Sequence, residues 1–176
     1  MDYLRDYAMY AAIFGMFGFC WFGWAQENPR SSWRKYIGMA SALPLLVSLV
    51  GIYLSVTNWQ EATALSESDT FKNYLIFVFI EFLLAAIGAV LFIIFKKTDY
   101  VAPWILFIVG IHFFWLKDVF KDASLYVLGT LLVVISIFSL WSAKRLGVAK
   151  SAITGIGGGT VLLGFAILGL VRFFSI

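Results

Sequence analysis

Apolar positions in this chain come in long uninterrupted runs rather than in alternation. Six runs stand out, near 8–25, 36–56, 74–95, 100–116, 124–143 and 151–174. Runs of ~17–24 residues, at 1.5 Å of rise each, match a hydrocarbon core of ~30 Å. They are too long for barrel strands, and their apolar residues do not alternate. The pattern predicts an all-α, polytopic integral membrane protein, a bundle of six transmembrane helices forming one domain over residues 1–176. Polar breaks separate the runs. Gln26–Lys35 contains Pro29, Thr57–Asn73 is the longest connection and is acidic, and Lys96-Lys97-Thr98-Asp99 joins the third run tightly to the fourth. Trp and Tyr clusters at Tyr7/Tyr10 and Trp21/Trp24 suit the two interfaces of the first span. Pro44 falls inside the second span, where neighbouring helices can satisfy the freed carbonyl.

Composition points the same way. Of 176 residues, 62% are hydrophobic and 13% charged, and mean hydropathy is +0.92. A soluble domain would carry about 25% charged residues. The net charge of +3 therefore speaks to orientation rather than to nucleic acid, which is not an expected partner. A signal peptide would open on basic residues, whereas Asp2, Arg5 and Asp6 give a mostly acidic start. Ala8–Ala25 is accordingly read as a retained span. The connections after the first, third and fifth spans hold eight Lys and Arg residues (Arg30, Arg34, Lys35, Lys96, Lys97, Lys144, Arg145 and Lys150), and the opposite side holds five. Seven of the ten acids lie on that opposite side. The positive-inside rule then places the basic loops in the cytoplasm of a cell-membrane protein, with both termini outside.

Small residues fall at helical spacing on four spans: Ala8, Ala11, Gly15 and Gly18; Ser41, Pro44, Ser48, Gly51 and Ser55; Gly129, Ser136, Ser139 and Ala143; Gly155, Gly159, Ala166 and Gly169. Such stripes let helices approach closely in lipid, so they are expected to be packing seams. A sharper alternative takes Thr154 to Thr160, with Gly157, Gly158 and Gly159, as a break in the sixth helix that binds an ion or substrate, as in some transporters.

Two ionisable residues lie deep inside apolar runs: Glu81 in the third and His112 in the fourth. A charge there costs about 3 kcal/mol on insertion scales. Glu81 shares a helix face with Ala85, Gly88 and Phe92, and His112 shares one with Ile105, Val109 and Trp115. Adjacent antiparallel spans joined by a four-residue turn should pack side by side. Glu81 and His112 are therefore expected to meet, directly or through water, as a proton or ligand site. Trp115, Tyr126 and the glycines 157–159 are secondary candidates. Ser48, Ser55, Tyr126 and Thr130 are the other partners open to Glu81, and Tyr10 and Tyr126 those open to His112. The alternative for the pair is a purely structural buried contact.

No catalytic or metal-binding motif is present, and the single cysteine, Cys20, excludes an internal disulfide. Cys20 and His112 point to opposite sides, so no enzyme, cofactor or metal is expected. The expected partners are the lipid bilayer and an unidentified small molecule or ion, and a homo-oligomer is possible. Three function classes remain: a small transporter or ion-binding protein, a structural or accessory subunit of a membrane complex and, last in order, a membrane-embedded enzyme. Laying the first three spans over the last three, as an inverted repeat would require, matches little beyond Gly18 on Gly110.

Two pieces carry a resemblance. Trp24-Ala25-Gln26-Glu27-Asn28-Pro29 with Ser32-Trp33-Arg34, and Ala102-Pro103-Trp104 with Val109-Gly110-Ile111-His112-Phe113-Phe114, resemble segments of small bacterial multi-pass membrane proteins. The resemblance covers about a fifth of the chain and implies a bacterial origin. It carries no activity with it.

Overall fold

The computed structural model describes residues 3–176; Asp2, part of the acidic start, lies outside the described residues. Six α-helices run through it: α1 (Leu4–Trp24), α2 (Ser31–Thr57), α3 (Ser68–Ile94), α4 (Val101–Phe120), α5 (Ser124–Leu146) and α6 (Lys150–Phe173). Short 3-10 turns, Ala64–Ser66 and Thr98–Tyr100, precede α3 and α4. There is no strand among the described residues. All six helices are long and apolar enough to cross a membrane, and a helix is the natural spanning element because it satisfies its backbone polar groups internally. The chain is a multi-pass membrane protein built as a six-helix bundle.

Several helices overrun their apolar runs. α2 begins at Ser31 rather than 36, and α3 at Ser68 rather than 74. α4 continues to Phe120 and α5 to Leu146. Hydropathy marks only the hydrocarbon-buried part of a helix. The polar first turns, Ser31–Lys35 and Ser68–Asn73, continue the same hydrogen-bond ladder into the interface.

Neighbouring helices follow the order α2, α1, α6, α5, α4, α3, and α4 also touches α6. Phe14 meets Phe113 edge-on, and Tyr10 meets Phe120, so α1 also closes against α4. Leu106, Leu125, Leu128, Leu132 and Leu162 form the centre, with Tyr10, Phe14 and Trp21 around them. The first and last spans are central, while α2 and α3 lie at the margins. α5 packs on α6 but α2 does not pack along α3. The two halves therefore differ in arrangement, and the weak sequence match is not an inverted structural repeat.

The small-residue stripes are the seams. Gly15 lies against the Pro44 carbonyl and Ser48, and Gly51 against Ala11 and Ala12. Ser48 Oγ donates to the Ala12 carbonyl at 2.8 Å, and Ser136 Oγ to the Pro103 carbonyl at 2.7 Å. The glycine run of α6 is continuous helix, not a break. Thr154 and Thr160 donate back to the carbonyls of Lys150 and Ile156 within the helix. Successive helical residues point about 100° apart, so each glycine serves a different neighbour. A methyl at Gly157 would meet Ile135 of α5, one at Gly158 Leu106 of α4, and one at Gly159 Phe22 of α1. The run exists because three helices converge on α6 at one level.

Candidate functional site

α3 is held to the bundle almost entirely through α4. Aromatic contacts set the register of the pair. Tyr74 meets Phe120, Phe77 stacks on Trp115 at 5.9 Å, and Phe92 stacks on Tyr100 at 5.7 Å. Trp104 fills the space beside Gly88, where a side chain would overlap its indole. Its Nε1 donates to the Leu84 carbonyl at 3.1 Å. These rungs place Glu81 opposite His112, between three and four turns from the connection that joins the helices.

His112 Nε2 lies 3.4 Å from Glu81 Oε2. The side chains are 7% and 16% exposed, so His112 is buried and Glu81 is mostly covered by its neighbours. The imidazole also lies near the backbone of Phe77, one turn before Glu81 on the same helix. A carbonyl oxygen only accepts, whereas a carboxyl group accepts when ionised and can donate when protonated. Chemically, the pair can hold a proton on either partner, as carboxylic acid beside imidazole or as carboxylate beside imidazolium.

Of the other expected partners, the hydroxyl groups of Ser48, Ser55 and Thr130 are engaged elsewhere, and the buried Tyr10 hydroxyl meets neither residue nor any other hydrogen-bond partner among the described residues. Ser48 bonds the Ala12 carbonyl, Ser55 that of Gly51, and Thr130 that of Tyr126. Trp115 stands beside the pair through its stack on Phe77. Tyr126 does not: it is on α5, against Phe114 and under the Lys117 ammonium. Gly157, Gly158 and Gly159 are in the α6 seam. Cys20 is exposed on the surface of α1, whereas His112 is buried. The two best-formed surface depressions, lined by Leu140, Trp141, Lys144 and Arg145 and by Tyr126, Val127, Thr130 and Leu131, are on α5 and include neither Glu81 nor His112. Among the described residues no three His, Cys, Asp or Glu side chains gather as metal ligands.

A second polar cluster was not anticipated. At the acidic end, Asp122 is 6% exposed. It accepts from Arg172 at 2.8 Å and from the Ser124 amide and hydroxyl at 2.9 and 2.7 Å. Asp6, also buried, accepts from the Thr63 hydroxyl and from the Ala64 amide at 2.8 Å. Arg5 donates to the Trp59 carbonyl at 3.0 Å and lies over its ring. The first set ties the start of α5 to the end of α6, and the second ties α1 to the α2–α3 connection. The pairing of Asp122 with Arg172, fifty residues on, leaves no local signal in the sequence.

Comparisons with protein-family models, with curated proteins and with solved structures return no match. Function is read from the geometry alone.

Proposed function

We propose that this chain is a proton-responsive transporter or ion-binding protein of the cell membrane, with Glu81 and His112 as its proton site. The observation that carries the reading is the 3.4 Å approach of a carboxyl and an imidazole inside the α3–α4 seam. Intramembrane ionisable pairs of this kind are characteristic of proton relays. The chemistry proposed is proton binding and release, not bond making, because Cys20 and His112 form no dyad. Groups facing the pair are few. On α3, Tyr74 is near enough to feel the Glu81 charge, α1 presents Phe14 and Tyr10 to the neighbouring aromatic cluster, and Lys117 of α4 pairs with Asp118. In this reading the basic end faces the cytoplasm and both termini lie outside, following the Lys and Arg distribution.

The test is a proton titration of the purified protein against Glu81→Gln, which keeps the shape and cannot ionise. Loss of one titrating group in the variant, with the fold retained by circular dichroism, supports the site. Identical titration curves overturn it. One feature favours a second reading, an accessory subunit: the best-formed depressions do not reach the pair. Proteoliposomes carrying a trapped pH dye separate the two, since only the transporter reading gives a proton flux that Glu81→Gln abolishes.

A further inference from the structure

We propose that the groove at the basic end of α5 is a binding site for the phosphate headgroup of an anionic phospholipid. Leu140, Trp141, Lys144 and Arg145 line a shallow groove, largely open to the surroundings and formed by α5 alone. Their spacing, i, i+1, i+4 and i+5, puts all four on one flank of the helix, with the cationic pair one turn beyond the apolar pair. One turn rises about 5.4 Å, a suitable step from the acyl–glycerol boundary to the phosphate. Trp141 is half exposed, as are Val134, Ile137 and Phe138 on the same helix, so the lower wall is continuous with the lipid-facing surface. A free phosphate ion would leave that apolar wall unused.

The upper wall suits an anion. The Arg145 guanidinium lies 3.7 Å over the Trp141 ring. Stacking fixes its plane and leaves N–H groups at its edge for phosphate oxygens. Ion pairs among the described residues use Lys72, His112, Lys117, Lys150 and Arg172, leaving Lys144 and Arg145 with no carboxylate. A helix C-terminus ordinarily repels anions. Here Arg30 Nη2 and Nε both donate to the Leu146 carbonyl, at 3.0 and 3.3 Å, placing a third cation over that end. The whole end carries eight basic residues against Glu27 and Asp99. Basic pockets at a membrane interface select anionic headgroups in this way.

The test is thermal stabilisation of the detergent-purified protein by phosphatidylglycerol and, separately, by phosphatidylcholine. Phosphatidylglycerol is expected to stabilise the wild type at lower concentration. In Lys144→Ala/Arg145→Ala the midpoint should rise roughly 10-fold or more. In Arg34→Ala/Lys35→Ala, which removes as much charge from the same end, it should stay within about twofold. Equal loss in both double variants, equal stabilisation by phosphatidylcholine, or full replacement by inorganic phosphate would each overturn the proposal. Brominated lipids give a measurement that needs no charge variant. The fluorescence lost between wild type and Trp141→Phe should be quenched more by brominated phosphatidylglycerol than by brominated phosphatidylcholine, and equal quenching counts against the site.

Discussion

At the scale of single residues, a polar side chain inside a bilayer is explained only when its partner is named. Glu81 and His112 face each other across one seam, 3.4 Å apart. Removing one partner leaves the other stranded, but coupling energies in membrane interiors are smaller than isolation costs imply, averaging ~0.6 and reaching ~1.7 kcal/mol. A double-mutant cycle on Glu81→Gln and His112→Gln, read by steric trapping or SDS unfolding, should therefore return about 0.5–2 kcal/mol of coupling. A coupling near zero would mean that the 3.4 Å contact contributes nothing. Asp122 makes a stronger case, since it accepts three hydrogen bonds while buried. Asp122→Ala should cost about 3 kcal/mol, with Arg172→Ala doing nearly as much and the two far from additive. The depth of Glu81 and His112 was legible because an ionisable residue in an apolar run is conspicuous. Asp6 and Asp122 were not legible as buried acids. They flank the runs, where sequence alone cannot distinguish a solvated charge from one covered by a neighbouring helix.

At the scale of elements, α3 is the informative helix. Its outer face is exposed along nearly its whole length, and its inner face follows Tyr74, Phe77, Glu81, Gly88 and Phe92 against α4. Close approach at Gly88 admits the Trp104 indole, so Gly88→Ala must expel it. Overpacking of this kind costs typically 1–3 kcal/mol, and the loss should come with a changed environment for Trp104 in fluorescence. Gly164→Ala is the matched control, because nothing lies within 4 Å of the added methyl. It should be neutral or stabilise by up to about 1 kcal/mol through helix propensity. Equal destabilisation by the two substitutions would deny the Trp104–Gly88 seat any special role. The seams were legible as stripes of small residues, but which helix each stripe faces was not. Gly157, Gly158 and Gly159 show why: three neighbours crowding α6 and a broken, ligand-binding helix demand the same residues.

For the whole molecule, span number followed from hydropathy, whereas neighbour order did not. Sequence adjacency suggests that α2 and α3 pack, and instead they stand at opposite margins with α1, α6, α5 and α4 between them. The ends remain chemically distinct. One gathers the Asp6 and Asp122 contacts. At the other, Arg30 donates to the Leu146 carbonyl and Lys150 lies over Tyr100. That polarity yields a topology prediction. On a Cys20→Ser background, a cysteine at Ser66 should react with a membrane-impermeant maleimide added to intact cells, and one at Thr98 should react only after permeabilisation. The two positions suit the comparison. Both lie in short 3-10 turns outside the long helices, and both are exposed, so a difference in labelling reports sidedness rather than burial. Ser66 donates only to the nearby Thr63 carbonyl, and the anchor of that turn on Asp6 runs through Thr63 and Ala64, which the substitution leaves intact. Labelling of Thr98→Cys but not Ser66→Cys in intact cells would invert the orientation. The Glu81–His112 pair would then face the cytoplasmic half, and the anionic-lipid groove of α5 the outer leaflet.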